Sequence, residues 1–501
     1  MDKRAFVLCA CISAAIAWGL GAASAADASR PNFIVINIDD MGYADIGPFG
    51  SKLNRTPNLD RMAKEGRKLA SFYAAPVCSP SRAALMTGCY PKRVLPIPGV
   101  LFPAGAVGLT PEQCTVAELL KEAGYATGCI GKWHLGDQPP FLPTRRGFDY
   151  YLGIPYSNDM GTAAEGSKSN LGDPIRVPKK NAGKGNAGDE SGLHGMSQPP
   201  LPLLENEKVV ARVKQDEQQG IVERYTTAAV KFIQVNRGKP FFLYLPHNAV
   251  HFPVYPGKAW AGKSPNGIYS DWVEEVDWSV GRVLDTLREL KLDSKTLVIF
   301  TSDNGGTPRA VNAPLRGNKG STWEGGMRVP TLAWWPSRIP AGTSCDAITG
   351  MMDVLPTFVR LAGGRLPADR KLDGCDIWPL LSGESKQPAR GVFYYFRGFK
   401  LEAVRSGPWK LHLGVAAPKA KAQAQPSEPQ LYNLDTDIGE SANVAKENPD
   451  MVKKLQSLAN LMKDDLGLDG VGPGCRTLGR VPEPKPLINH DGTIREGFAL
   501  K

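Results

Sequence analysis

The chain has 501 residues, of which 42% are hydrophobic and 22% charged, with a formal net charge of +10. That composition excludes wholesale disorder and leaves room for one large domain plus a smaller one. The positive balance favours anionic partners. No basic helix or aromatic–basic stripe accompanies it, which argues against nucleic acid.

Lys3 and Arg4 precede an apolar run from Phe6 to Leu20, and Ala23-Ser24-Ala25 supplies a small-x-small cleavage pattern. This predicts a signal peptide over 1–25 and a secreted or periplasmic mature chain. No transmembrane anchor is expected after cleavage, because no later stretch is long and apolar enough to span a bilayer. Cys9 and Cys11 leave with the signal. The seven cysteines that remain can form disulfides in an exported chain, with at least one outside any intramolecular pair. Their spacings contain no C-x-x-C pair, which argues against a zinc ribbon.

Asn32 to Ile38 is a mostly apolar run ending in Asp39-Asp40 and reads as a buried strand. Thr56-Pro57 opens a helix, and a second begins near Ser79. Thr115 and Glu118 form a capping box, and Gly124 closes that helix. Tyr125 to Ile130 suits a strand. A helix near Val222 to Val235 precedes a strand from Phe241 to Leu245. Val273, Val276, Val280, Val283, Leu284, Leu287 and Leu290 have helical spacing. Thr296 to Thr301 is another buried strand running into Ser302-Asp303-Asn304-Gly305, and Pro330 to Trp335 is a further one. Strands alternating with helices predict an α/β layer with a mostly parallel sheet. Residues 161–200, rich in Gly, Ser, Lys and Pro, read as a long surface loop, and 415–429 as a low-complexity excursion. After about residue 385, short strand candidates at 392–396, 403–404, 410–413 and 431–432 and a helix over 449–463 predict a small α+β domain with an antiparallel sheet. The expected organisation is a signal peptide over 1–25, a catalytic domain over 26–385 and a small C-terminal domain over 386–501.

Asp39-Asp40 and Asp303-Asn304 each follow an apolar strand, and the carboxyl ends of strands are where open α/β sheets bind ligands. Oxygen-only ligands of this kind suit calcium or magnesium rather than zinc. As turn and cap residues alone, the same pairs would be unremarked. Cys78-Ser79-Pro80-Ser81-Arg82 places a cysteine at a helix start, with Arg82 four residues on and able to share its face. A helix N-terminus plus an arginine makes a site for anionic groups.

Cys78-Ser79-Pro80-Ser81-Arg82, followed by Ala83-Ala84-Leu85-Met86-Thr87-Gly88, resembles the signature of the sulfatase family, Cys-x-Pro-x-Arg with a following Thr-Gly. Asn37 to Tyr43 resembles that family's first metal motif, Gly131-Lys132-Trp133-His134-Leu135-Gly136 its lysine–histidine motif, and Thr301 to Gly305 its second metal motif, all in the family's order. The resemblance runs from about Asn32 to Asn443, where Leu431-Tyr432-Asn433-Leu434 and Gly439-Glu440 are similar to its C-terminal segment. Gly153-Ile154-Pro155-Tyr156-Ser157 is similar to the arylsulfatase A and N-acetylgalactosamine-6-sulfatase branch. Two places depart: Cys89 stands where a basic or polar residue commonly follows Thr-Gly, leaving it open to disulfide pairing, and Gly166 to Leu203 matches nothing residue by residue.

The resemblance implies an alkaline-phosphatase-like α/β/α sandwich and hydrolysis of sulfate esters. Aryl sulfates are the implied test-tube substrates and sulfated glycans the natural ones. It implies that a formylglycine-generating enzyme converts Cys78 to formylglycine, whose hydrate is the nucleophile. Asp39, Asp40, Asp303 and Asn304, with position 78, are implied to hold Ca2+, or else Mg2+. Arg82 is to stabilise the modified residue, and Lys132 and His134 to orient the diol and take its proton. His251 is to bind sulfate and protonate the leaving group, with His247 as its rival, and Lys319 is the second sulfate-binding lysine, with Arg316 as its rival. Ser157 is to touch sulfate. Two other readings compete: a phosphate or phosphonate monoester hydrolase of the same fold, and a noncatalytic sulfated-glycan binder with Cys78 unmodified. The six histidines, poorly spaced for two zinc sites, speak against the first.

Overall fold

The computed structural model describes residues 30–175, 190–414 and 428–500. The segment expected to be a signal peptide, with Cys9 and Cys11, and most of the 415–429 excursion lie outside them. In chain order the main sheet uses Asn32–Ile38 (β1), Arg67–Leu69 (β2), Ala126–Ile130 (β3), Tyr150–Gly153 (β4), Pro202–Glu205 (β5), Lys208–Arg212 (β6), Phe241–Pro246 (β7), Thr296–Ser302 (β8), Thr331–Trp334 (β9) and Thr343–Cys345 (β10). Their spatial order is β10-β2-β9-β8-β1-β7-β3-β4-β5-β6. The five central strands β8, β1, β7, β3 and β4 are mutually parallel. Ile38 lies opposite Ser302, and Asn37 opposite Pro246, so their carboxyl ends finish level with one another.

All seven residues of β1 are buried, and alternate side chains enter two separate cores. Phe33 and Val35 join one, Ile34, Ile36 and Ile38 the other. The helices Pro57–Glu65 (α1), Cys78–Thr87 (α2), Val116–Glu122 (α3), Ile221–Val235 (α4), Ile268–Glu289 (α5) and Val354–Leu361 (α6) divide accordingly. Apolar residues of α2, α3 and α6 belong to the first core and those of α1, α4 and α5 to the second. This is an α/β/α sandwich with a mostly parallel sheet. Beside it, Phe393–Arg397 (β11), Lys400–Ser406 (β12), Trp409–His412 (β13) and Gln430–Asn433 (β14) form a small antiparallel sheet. The helix Pro449–Asn460 (α7) buries Leu455 and Ala459. Phe393, Tyr395, Ala403 and Leu411 from this sheet share the first core with β1 and α2.

The local signals act as chemistry dictates. Thr115 and Glu118 satisfy one another's backbone donors in a capping box. Gly88 ends α2 in the left-handed region, with φ 68, and returns its N–H to Ala84, a conformation that favours glycine. Thr56 precedes α1 but does not cap it: its hydroxyl accepts from Gly47 N–H instead.

Two further expectations change. Among the described residues all seven cysteines are unpaired thiols, Cys89 included. The described part of 161–200 is not a plain surface loop: Ser167, Ser169 and Gln198 are buried, and two short 3-10 turns form at Ala163–Glu165 and Gly195–Ser197. The segment after it folds as the β5–β6 hairpin and extends the sheet edge. Among the described residues no helix is long and apolar enough to cross a membrane.

Glu275 on α5 is buried and accepts from Gly257 N–H. Burial pushes its pKa up to about 8. A carboxyl whose folded pKa is raised contributes most stability below its unfolded value and loses it as pH rises through the folded one. Wild type should therefore lose stability between the ordinary glutamate pKa and about pH 8, by at most about 1.4 kcal/mol per pH unit from this group. In Glu275→Gln that slope should disappear. Denaturant titrations of both proteins from pH 5 to 8 check it, and parallel curves would refute it.

Candidate active site

Each central parallel strand ends in a residue expected at the site. From β8 come Asp303 and Asn304, from β1 Asp39 and Asp40, from β7 His247 and His251, from β3 Lys132 and His134, and from β4 Ser157. At Gly131, with φ 132, an added Cβ would lie 1.8 Å from the Pro246 carbonyl oxygen. Only glycine lets the lysine–histidine turn approach β7 so closely. The helix α2 points its N-terminus at the same place, and Cys78 is its first residue, 2% exposed.

Cys78 Sγ lies 3.4 Å from Asp39 Oδ1 and 3.4 Å from Lys319 Nζ. Lys319 also pairs with Asp40 Oδ1 at 2.6 Å. Lys132 donates to Asp39 Oδ2 and, at 3.2 Å, to Ser157 Oγ. Ser157 Oγ in turn lies 3.2 Å from His251 Nδ1, and His251 Nε2 is 3.7 Å from Asp40 Oδ2. Two lysines, one histidine and one serine thus surround the cysteine and two carboxylates.

Burial, and then the charges of Asp303 and Asp39, push the Cys78 thiol well above its usual range. Burial alone would raise Asp39, but Lys132, His251, Arg82 and Lys319 outweigh it and hold the carboxyl well below the usual range. Burial likewise opposes charge on Lys132, yet Asp39 and Cys78 tip its pKa upward.

One ligand atom from each of Asp39, Asp40, Cys78 and His251 lies within 4.8 Å of all the others, a group able to hold a metal ion. Asn304 adds to it. Its Nδ2 donates to Asp40 Oδ1 at 2.7 Å, while its Oδ1 is buried with no donor. A buried acceptor beside two carboxylates is what a hard cation satisfies, so these residues fit one. Asp303, expected among the ligands, is already engaged. Its Oδ1 accepts from Asp40 N–H at 3.4 Å, and its Oδ2 takes a fork from Arg82 Nε and Nη2 at 3.0 and 2.8 Å. Arg82 Nη1 donates to the Lys132 carbonyl. Its hydrogen bonds therefore run to Asp303 and the Lys132 turn rather than to Cys78.

Both rivalries between neighbouring residues resolve in space. His247 turns away to Ser279 Oγ at 3.1 Å, and burial lowers its pKa to about 3. Arg316 stacks on Trp323 at 3.8 Å and donates to the Glu440 carbonyl. His134 is in the left-handed region, with φ 65, and not extended. Its Nε2 lies 2.8 Å from the Leu101 carbonyl and so carries the proton. That leaves Nδ1 bare, buried and without a partner. Burial, then Lys132 and Arg82, hold its pKa well below the usual range. Ser302 stood in the sequence only as part of the Thr301 to Gly305 motif, with no role of its own. It bonds the Ile38 carbonyl at 3.2 Å and receives Met41 N–H at 3.0 Å, clamping the two acidic turns together. Its signal was a hydroxyl at the last position of the Thr296–Ser302 strand, directly before Asp303-Asn304.

This geometry coincides with a match to the sulfatase family model over residues 31–364. The chain belongs to the sulfatase family. A second model, described as N-sulphoglucosamine sulphohydrolase, C-terminal, matches residues 318–466. Human (Homo sapiens) arylsulfatase A is 37% identical, over 89% of this chain and 90% of its own length. Canine (Canis lupus familiaris) N-acetylgalactosamine-6-sulfatase is 39% identical, over 79% and 73%. The solved structure of Ps i-CgsB in complex with k-i-k-neocarrahexaose superposes with a TM-score of 0.70 at 33% identity, over 87% of this chain and 92% of that one. The sulfatase is accordingly a sulfuric ester hydrolase with an alkaline-phosphatase-like fold.

Proposed function

We propose that this sulfatase works through a formylglycine made from Cys78, with a bound calcium ion, on sulfated glycans outside the cytoplasm. The observation that carries the reading is the position of Cys78. It begins a helix among Asp39, Asp40, Lys132 and Lys319, at the carboxyl ends of five parallel strands. The hydrate of formylglycine supplies two hydroxyls on one carbon: one attacks sulfur as the alcohol leaves, and loss of the other's proton expels sulfate and restores the aldehyde. Asp39, Asp40 and Asn304, with Asp303 Oδ1 as the oxygen that the Arg82 fork leaves open, would hold calcium, which would supply Lewis-acid polarisation of a sulfate oxygen.

The chain's own residues do the rest. Lys319, Lys132 and Ser157 bind the sulfate oxygens, and the two ammonium groups meet the negative charge there in the transition state. The bare Nδ1 of His134 takes a hydroxyl proton from the diol. His251, between Ser157 and Asp40, hands a proton to the departing alcohol. Arg82 fixes Asp303 and the Lys132 turn as a positioning group. Residues 26–385 form the catalytic domain and 386–501 the smaller one. The signal pattern over 1–25 supports a secreted or periplasmic enzyme, and the resemblance to glycan-acting relatives supports a sulfated saccharide as substrate.

The test is hydrolysis of 4-nitrophenyl sulfate against 4-nitrophenyl phosphate by protein made with a formylglycine-generating enzyme. Sulfate release should exceed phosphate release. Dialysis against a chelator should lower it by about 10²-fold or more, and calcium should restore it. Preference for the phosphate ester, or indifference to chelation, would overturn the reading.

A further inference from the structure

We infer that Arg309 forms a subsite for a second sulfate group of the substrate, beside the one that is hydrolysed. This deepens the glycan-sulfatase reading above and rests on it. Directly after Asp303-Asn304 the chain leaves the sheet as a short loop, residues 305–312, whose base is firmly tied. Gly306 N–H donates to the buried Asn312 Oδ1 at 2.9 Å, and Asn312 Nδ2 returns to the Gly306 carbonyl and reaches Asn318 Oδ1 at 2.8 Å. Val311 N–H donates to Asp45 Oδ1 at 2.8 Å, and Ala44 N–H to the Val311 carbonyl.

The loop touches the site on both sides. The Gly306 carbonyl accepts from the backbone N–H of Lys319 at 3.0 Å, and Ala310 packs against Gly42, two residues past Asp40. At its tip Ala310 N–H closes a turn onto the Thr307 carbonyl, leaving Pro308 and Arg309 exposed. The Arg309 guanidinium lies 5.2 Å from the ring centre of Phe252, the residue after His251.

Among the described residues no carboxylate pairs with Arg309. An aromatic face holds a guanidinium in place while leaving its edge donors free. A planar fork of free donors on a pre-tied loop is suited to an oxyanion presenting two oxygens. Lys319, Lys132 and Ser157 take the reacting sulfate, so Arg309, beside the residue after His251, is placed for a different anionic group on the same molecule. A simple aryl sulfate has no such group. A multiply sulfated saccharide does, and the chain's formal charge of +10 agrees with a polyanionic substrate.

The experiment uses the formylglycine-bearing enzyme, with sulfated disaccharides as competitive inhibitors of 4-nitrophenyl sulfate hydrolysis. Each mono-sulfated compound is compared with counterparts carrying one further sulfate at varied positions. For wild type, at least one added sulfate should lower Ki about tenfold, equivalent to about 1.4 kcal/mol, and the gain should shrink at high salt. Arg309→Ala should lose the gain, and Arg309→Lys should keep part of it. Neither should change kcat/KM for 4-nitrophenyl sulfate by more than about twofold. That unchanged rate also shows that the variants fold. An Arg309→Ala enzyme that keeps the gain, or a wild type that gains from no second sulfate, overturns the subsite while the sulfatase reading stands. Failure of wild type to hydrolyse 4-nitrophenyl sulfate at all sinks both.

Discussion

Cys78→Ala should abolish turnover of 4-nitrophenyl sulfate, lowering kcat/KM by about 10⁴-fold or more, because the covalent step has no other nucleophile. The loss should be chemical rather than structural. Shortening one buried side chain costs about 0.5–3 kcal/mol, so the variant should stay folded. In active wild type, the peptide containing Cys78 should be about 18 Da lighter than its thiol form. Cys78→Ser sharpens the test. A serine hydroxyl can attack sulfur, but it lacks the second hydroxyl needed to expel sulfate. That variant should stop after a single turnover with a covalent adduct of about 80 Da. Full activity in protein whose Cys78 remains a thiol would refute the mechanism.

Lys410→Met should destabilise the protein by about 3–5 kcal/mol, the effect of breaking a buried ion pair from one side. Lys410 on β13 is fully buried and donates to Glu440 Oε1 at 2.8 Å, Glu324 Oε1 at 3.0 Å and the Thr322 carbonyl at 2.8 Å. Glu440 also accepts from Glu324 N–H at 2.7 Å and lies 2.8 Å from His412 Nε2. Without the lysine, two buried carboxylates face each other with one fewer cation. Denaturant unfolding checks this, and Lys410→Met with Glu440→Gln should recover part of the loss. A change under about 1 kcal/mol would show that water or neighbouring arginines already neutralise the pair.

Much of the sheet was legible because its central strands are buried on both faces. Runs such as Asn32–Ile38 therefore read as continuous apolar segments whose acidic ends stand out. Strand direction was not legible. The run near Thr331–Trp334 looks like its neighbours, yet it lies antiparallel to β8, and nothing in four residues encodes that. The β5–β6 hairpin lacked an Asn-Gly turn signal: it turns at Asn206, with φ 53, in Glu205-Asn206-Glu207. Histidines four apart gave no means of choosing between His247 and His251, because the choice depends on Ser279 from a distant helix. Cysteine count allowed disulfides, but pairing depends on separations that sequence does not contain. Asp303 read as a metal ligand, while the fork from Arg82 that occupies one of its oxygens became visible only in three dimensions.

The central strand of the sheet comes first in the chain, and its neighbours come late. Asn32–Ile38 lies between partners that do not exist until residues 241–246 and 296–302 have been synthesised. A ribosome-bound chain therefore carries an apolar strand with both edges open until residues 241–246 emerge and with one edge open until 296–302, the kind of segment that invites mispairing. Truncations ending before residue 302 should be insoluble or held by chaperones, and holdase dependence should fall sharply once that strand has emerged.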